Sequence, residues 1–234
     1  PIIKDNKIIW VTFSTTNYGA PTLSNSQGVF EYDIEAKTWK LVSMLAFNKG
    51  DGMVRPWRGV EICFDRRDRL WKLIAVSHGD DHKMYQGAVT EDILTGYHEI
   101  PATLMNYASV ANEEDPSVFF DSTVGKWRMA VCKNPGGGYQ TVLMEADTFD
   151  GEWKQIGIYT PQSSTGILIQ KVGGQHYVFL GRGADPCPFE VLSYPGMEKL
   201  GELNLDVHPQ GHNVWPGVIP ISSDSGTAYY LLSF

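Results

Sequence analysis

Two acids stand side by side ahead of an apolar run in the segment Glu114-Asp115-Pro116-Ser117-Val118-Phe119-Phe120-Asp121. Adjacent carboxylates at the start of a buried strand crowd like charges, which raises the pKa of one of them. A carboxylic acid poised in this way can serve as a general acid. Asp-Pro also opens ordinary turns, so the same residues read equally as a strand lead-in. Glu61, inside Val60-Glu61-Ile62, is a third candidate acid. It is either a carboxylate directed at a site or a strand acid paired with Arg58.

Other residues suited to ligand contact recur along the chain: Trp57 and Arg58, His78, Lys133, Arg182 and Asp185, and His212 and Trp215. Trp57 and Trp215 offer faces for stacking on sugar rings, and Arg182 offers a bidentate donor. His78 or His212 as base, with Arg58 or Arg182 neutralising a uronate, would instead suit lyase chemistry. His78, Asp80 and His82 are metal-ligand types, but their loop spacing is not that of a metal motif. No metal and no cofactor is expected.

The elements that must hold these residues are written as a repeat. Val60-Glu61-Ile62-Cys63-Phe64-Asp65 is followed by Trp71-Lys72-Leu73-Ile74, and Ser117-Val118-Phe119-Phe120-Asp121 by Trp127-Arg128-Met129-Ala130. Each is an apolar strand, a turn of charged or small residues, and a second strand opened by Trp, which is a β-hairpin pattern. Asp33 to Trp39 and Asp147 to Trp153 keep the same interval in second hairpins. Weaker hairpins run from Tyr85 to Ile100 and from Phe189 to Leu203. Further first hairpins begin at Pro1, at Gly166 with a Gly173-Gly174 turn, and at Pro216.

Four strands per module at a period of roughly 45–55 residues is the pattern of β-propeller blades. No stretch keeps a helical period. The expectation is one all-β domain, a five-bladed propeller of four-stranded antiparallel blades, spanning residues 1–46, 54–101, 112–159, 164–205 and 212–234. The last blade lacks its outer strands, and the first module opens directly on Pro1, so the chain reads as a fragment of a longer one. In a propeller, the residues before each first strand and after each second strand converge on one axial pocket. Arg58, Glu114, Asp115, His212 and Trp215 occupy the first of those places, His78, Lys133, Arg182 and Asp185 the second, and Glu61 lies just inside its strand, beyond Gly59.

The Glu114–Asp121 segment, followed by Gly125-Lys126-Trp127, resembles the third-blade motif of five-bladed propeller glycosidases. The likeness is closest to glycoside hydrolase family 43 and more distant to family 32. The Trp39 and Trp153 segments are similar to the outer strands of those enzymes. The resemblance implies hydrolysis of an oligosaccharide or polysaccharide by two carboxylates flanking the scissile bond. It makes Asp115 the middle-blade acid that orients substrate or tunes the general acid, and it places the protein outside the cell or in the periplasm. The family's blade-one acid would precede Pro1. Its later Glu is expected near Gly166, where members read Glu-Gly-Pro and this chain reads Ser164-Thr165-Gly166. Glu114, Glu61 or Asp185 would then stand in for that acid. The departure also leaves room for a propeller that binds carbohydrate without cleaving it.

Composition narrows the partners further. The 234 residues carry a net charge of −8, from 27 acidic and 19 basic residues. No Lys/Arg cluster is present, which argues against nucleic acid. No apolar run approaches the ~18 residues of a membrane helix. Cys63, Cys132 and Cys187 show no metal or disulfide spacing, and the first two sit in strand-like runs as small core hydrophobes.

Overall fold

The computed structural model describes residues 2–4, 7–14, 26–53, 57–77, 81–89, 92–108, 112–160, 165–181, 188–203, 217–223 and 226–232. These form strands and turns with no helix among them. The chain divides into two compact units, residues 1–109 with 149–152, and residues 110–148 with 153–234.

The first unit contains β1 (Ile2–Lys4), β2 (Lys7–Ser14), β3 (Ser26–Asp33), β4 (Thr38–Asn48), β5 (Trp57–Asp65), β6 (Leu70–Ser77), β7 (Met84–Val89), β8 (Gly96–Pro101), β9 (Thr103–Leu104) and β10 (Asn106–Tyr107). One sheet runs in the order β1-β2-β3-β4-β8, the other β5-β6-β7-β9. Ile9, Val29, Leu45, Phe47, Trp57, Leu73, Ala75, Ile93 and Ile100 form one buried cluster. β6 is buried along nearly its whole length, as its continuous apolar run requires.

The second unit contains β11 (Glu113–Asp121), β12 (Lys126–Lys133), β13 (Gln140–Ala146), β14 (Glu152–Tyr159), β15 (Thr165–Val172), β16 (Gln175–Gly181), β17 (Phe189–Ser193), β18 (Lys199–Leu203), β19 (Gly217–Ser223) and β20 (Gly226–Leu232). β11 to β14 and β15 to β18 are consecutive antiparallel meanders, and β19-β20 is a two-stranded sheet. Ala130, Cys132, Leu143, Ile167, Ile169, Val178 and Leu180 fill its core. Cys132 is thus a core residue, as its strand context implies.

The hairpins expected from the repeat are present in register: Phe64 pairs with Trp71, Phe120 with Trp127, Asp33 with Thr38, and Phe189 with Leu203. The Tyr85-to-Ile100 hairpin is not. β7 pairs instead with β9, Tyr85 facing Leu104, while β8 joins β4 in parallel from Ser43–Gly96 to Asn48–Pro101. Parallel partners need a long connection, and here β5, β6 and β7 supply it. Gly87 makes this arrangement sterically possible. A Cβ there would lie 2.5 Å from Ile100 Cγ2 and 3.0 Å from the Pro101 carbonyl oxygen.

The Phe-Asp-to-Trp repeat has a local physical cause. Asp33 Oδ1 accepts hydrogen bonds from the Glu35 and Ala36 amides at 3.0 and 2.9 Å, and Lys37 is left-handed with φ 55°. Asp65 Oδ1 accepts from the Arg67 amide at 3.0 Å, and Arg69 has φ 62°. Asp121 Oδ1 accepts from the Thr123 amide at 3.0 Å, and Gly125 has φ 69°. A short acid that bonds its own turn is the standard chemistry of such connections. Asp147 departs from the rule: its side chain is 82% exposed and pairs with Lys126 across the sheet. Trp71, Trp127 and Trp153 are buried, whereas Trp39 is half exposed against Tyr32.

Asp121 does more than close its turn. Its Oδ2 accepts the Tyr194 hydroxyl at 2.6 Å. Burial raises its pKa, but the Thr123 and Tyr194 hydrogen bonds outweigh this and hold the carboxyl below its ordinary value. A depressed carboxyl contributes stability above the unfolded-state pKa, and that stability is lost as pH falls from about 4 through the folded value.

Two outcomes follow. Gly87→Ala costs about 1–3 kcal/mol in chemical denaturation, through overpacking against Ile100. The further change Ile100→Ala costs less in that background than alone. Asp121→Asn costs about 1–2 kcal/mol at neutral pH, and its stability falls less steeply than the wild type's when the unfolding titration is carried into acid.

Candidate functional site

Three leading strands open in the same way. In β5 the pairing with β6 skips between Arg58 and Glu61, in β11 the pairing with β12 skips between Glu114 and Ser117, and in β15 the pairing with β16 skips between Thr165 and Ile167. Each skip is a one-residue bulge, and each contains a left-handed residue: Gly59 at φ 54°, Asp115 at 53° and Gly166 at 61°. A bulge of this kind takes glycine by default. Asp115 is the exception. Aspartate tolerates the left-handed region at some cost, and non-glycine residues held there are concentrated at functional sites.

In the second unit the structure brings three consecutive acids to one place and gives each a different partner. Glu113 is fully buried, with Lys133 Nζ at 3.6 Å from Oε1. Glu114 is half-buried, and its Oε1 accepts the Tyr139 hydroxyl at 2.7 Å. Asp115 is buried, and its Oδ2 accepts the Gly166 amide at 2.9 Å. Glu114 and Asp115 thus bond different parts of the unit, the loop before β13 and the start of β15. Two strand residues further on, Ser117 Oγ accepts the Ile169 amide at 3.0 Å. β11 and β15 are thus joined by two side-chain-to-backbone bonds from consecutive strand turns.

The environment tunes the partners. Burial lowers the pKa of Lys133 despite the opposing pull of Glu113. Burial raises the pKa of Tyr139, and its hydrogen bond to Glu114 raises it further. Lys133, expected as a substrate contact, is itself buried and serves as the counter-ion of Glu113.

The first unit carries its own group of candidates. Trp57 was expected to stack on sugar but is completely buried; its Nε1 donates to the Phe47 carbonyl at 3.2 Å, and its ring packs against Phe47 and Tyr85. No face is left for a ligand. Arg58 and Glu61 flank the bulge and are half-buried. Beyond the bulge, Glu61 sits opposite Ile74. Burial pushes the Cys63 thiol up to about 12, with Glu61 and Asp65 adding to the effect. Asp81 accepts the Tyr85 hydroxyl at 2.6 Å and has Lys49 Nζ at 3.3 Å. It anchors a loop.

His78, Arg182, Asp185, His212 and Trp215 lie outside the described residues, as do Asp80 and Ser164. Among the described residues, no three of His, Cys, Asp and Glu are grouped to hold a metal ion. Sequence reasoning passed over Glu113 and Tyr139. Tyr139 carried a signal in the Gly136-Gly137-Gly138 run before it. Gly59 carried another, standing at the same distance from Asp65 as Asp115 from Asp121.

Strands in successive antiparallel meanders, with no helix among the described residues, make a propeller-like all-β fold. Solved structures of glycoside hydrolases, family-43 members among them, resemble that fold. A thermostable family-43 glycoside hydrolase superposes with a TM-score of 0.60 at 13% identity, covering 98% of this chain and 81% of that one. An endo-1,4-β-xylanase from Bacteroides thetaiotaomicron gives 0.58 at 15% identity, covering 95% and 78%. An exo-1,5-α-L-arabinanase from a bovine ruminal metagenomic library gives 0.56 at 12% identity, covering 86% and 75%. At these identities the likeness is one of fold. No protein-family model matches the sequence, and no curated protein matches it.

The bulge makes a testable distinction. Asp115→Gly and Asp115→Ala both lose the bond to Gly166, but Asp115→Ala keeps a Cβ in the left-handed region. The alanine variant should be less stable than the glycine variant by about 1 kcal/mol in equilibrium unfolding.

Proposed function

We propose that the chain is a five-bladed propeller glycoside hydrolase acting on an oligosaccharide or polysaccharide. Glu114 is its general acid, and Asp115 orients substrate or tunes that acid. The observation that carries this reading is Asp115 itself: an aspartate held left-handed where sister strands have glycine, beside a half-buried Glu114. Cleavage of a glycosidic bond needs an acid to protonate the leaving oxygen and a second carboxylate as base or nucleophile. Glu61 and Arg58 in the first unit, and Arg182, Asp185, His78, His212 and Trp215, are further candidates for catalysis or substrate contact. Action on a polymeric glycan fits a secreted or periplasmic protein.

A second reading, carbohydrate binding without cleavage, draws on one observation. Where family 43 reads Glu-Gly-Pro, this chain has Ser164-Thr165-Gly166, and Gly166 contributes a backbone donor to Asp115.

Incubation of the protein with arabinan, xylan and their oligosaccharides, followed by reducing-end analysis, separates these readings. Hydrolysis is expected. Glu114→Gln and Asp115→Asn should each lower kcat by about 10²–10⁴-fold with the fold retained by circular dichroism, and Glu61→Gln is the parallel variant. Undiminished turnover in Glu114→Gln and Asp115→Asn sinks the assignment. Glycan binding without turnover supports the second reading, and unsaturated products absorbing in the ultraviolet point to a lyase.

A further inference from the structure

Tyr139 reaches Glu114 from the end of a glycine-rich loop and also packs against the core of the second unit. β12 ends at Lys133, and β13 begins at Gln140. Between them Gly136, Gly137 and Gly138 all have positive φ, at 111°, 100° and 127°. Asn134 ties this loop down: its amide donates to the Asn112 carbonyl at 3.0 Å, and its Oδ1 accepts the Gly136 and Gly138 amides at 3.0 and 3.2 Å. The loop is therefore anchored beside Glu113, through Asn112, and braced internally by Asn134 ahead of Tyr139. A Cβ on Gly136 or Gly137 would meet nothing within 4 Å, so these glycines serve backbone conformation rather than close packing.

A phenol carries one proton. Spent on Glu114 Oε1, it makes that oxygen an acceptor, and because the carbonyl oxygen of a carboxylic acid accepts better than its hydroxyl oxygen, a protonated Glu114 favours its proton on Oε2. We propose that Tyr139 is a positioning residue for Glu114: its hydroxyl holds the carboxyl by Oε1 and leaves Oε2 as the oxygen that exchanges a proton with substrate. This assignment rests on the hydrolase reading of Glu114. Tyr139 can keep its proton in this role because burial and the neighbouring Glu114, Cys132 and Asp115 all oppose its ionisation.

The test uses the whole chain carrying Cζ-13C-labelled tyrosine, with the Tyr139 resonance assigned by its absence in Tyr139→Phe. Glu114→Gln should bring the ionisation of Tyr139 to lower pH. On whichever glycan the wild type cleaves, Tyr139→Phe should lower kcat about tenfold or more with KM unchanged, as misplacement of a catalytic group does. A Tyr139 titration that does not move in Glu114→Gln overturns the contact, whatever the activity. A titration that moves while kcat of Tyr139→Phe stays at the wild-type value overturns the positioning role. Wild-type protein that cleaves no glycan overturns the hydrolase reading, and with it the catalytic use of Oε2. The titration still decides the contact separately.

Discussion

In the second unit the bond between the Asp115 carboxylate and the Gly166 amide ties β11 to β15. Both residues sit at left-handed bulges, and each bulge turns part of its strand out of the ladder with its neighbour. A buried amide left without an acceptor costs about 1–3 kcal/mol. The Gly166 amide avoids that cost by taking a side chain from the preceding sheet, and the Ile169 amide does the same with Ser117. A donor freed by a bulge, Gly166, and a donor on the edge strand β15, Ile169, thus become links between successive sheets.

That link constrains what the acids can do. With Oδ2 committed to Gly166, Asp115 is fixed in place. Glu113 is committed to Lys133 in a buried pair. Glu114 is the member of the trio that is half-buried, held by a neutral phenol rather than a cation. The three acids are consecutive in the chain but chemically unlike, and the bulge is what makes them so.

A second, purely local device frames each hairpin. Asp33, Asp65 and Asp121 bond the amides of their own turns, and the left-handed residue that follows reverses the chain. The turn sets the register, so the following Trp returns at a set place. In Asp65 the carboxylate also takes the Arg67 guanidinium, at 2.9 and 2.7 Å, and in Asp121 it takes Tyr194. The Asp65 contact stays inside its own turn, two residues away, whereas the Asp121 contact is a tertiary tie across 73 residues. Asp147, whose turn is built otherwise, has its carboxylate in solvent.

The hairpins were legible in the sequence because their causes are local. Period-two alternation, an acid that bonds its own turn and a Trp at constant spacing all act within a dozen or so residues. The candidate acids were legible for the same reason, as residue types ahead of an apolar run. Tertiary structure decided what depends on residues distant in the chain. It placed β8 beside β4 rather than β7, because Gly87 admits Ile100. It buried Trp57 and Lys133, which their types alone offered to a ligand, because apolar neighbours and Glu113 enclose them. It also gave Asp115 a partner 51 residues away and Glu114 a partner 25 residues away. A single chain's sequence carries no signal for those pairs, since they form only when separate strands are packed side by side.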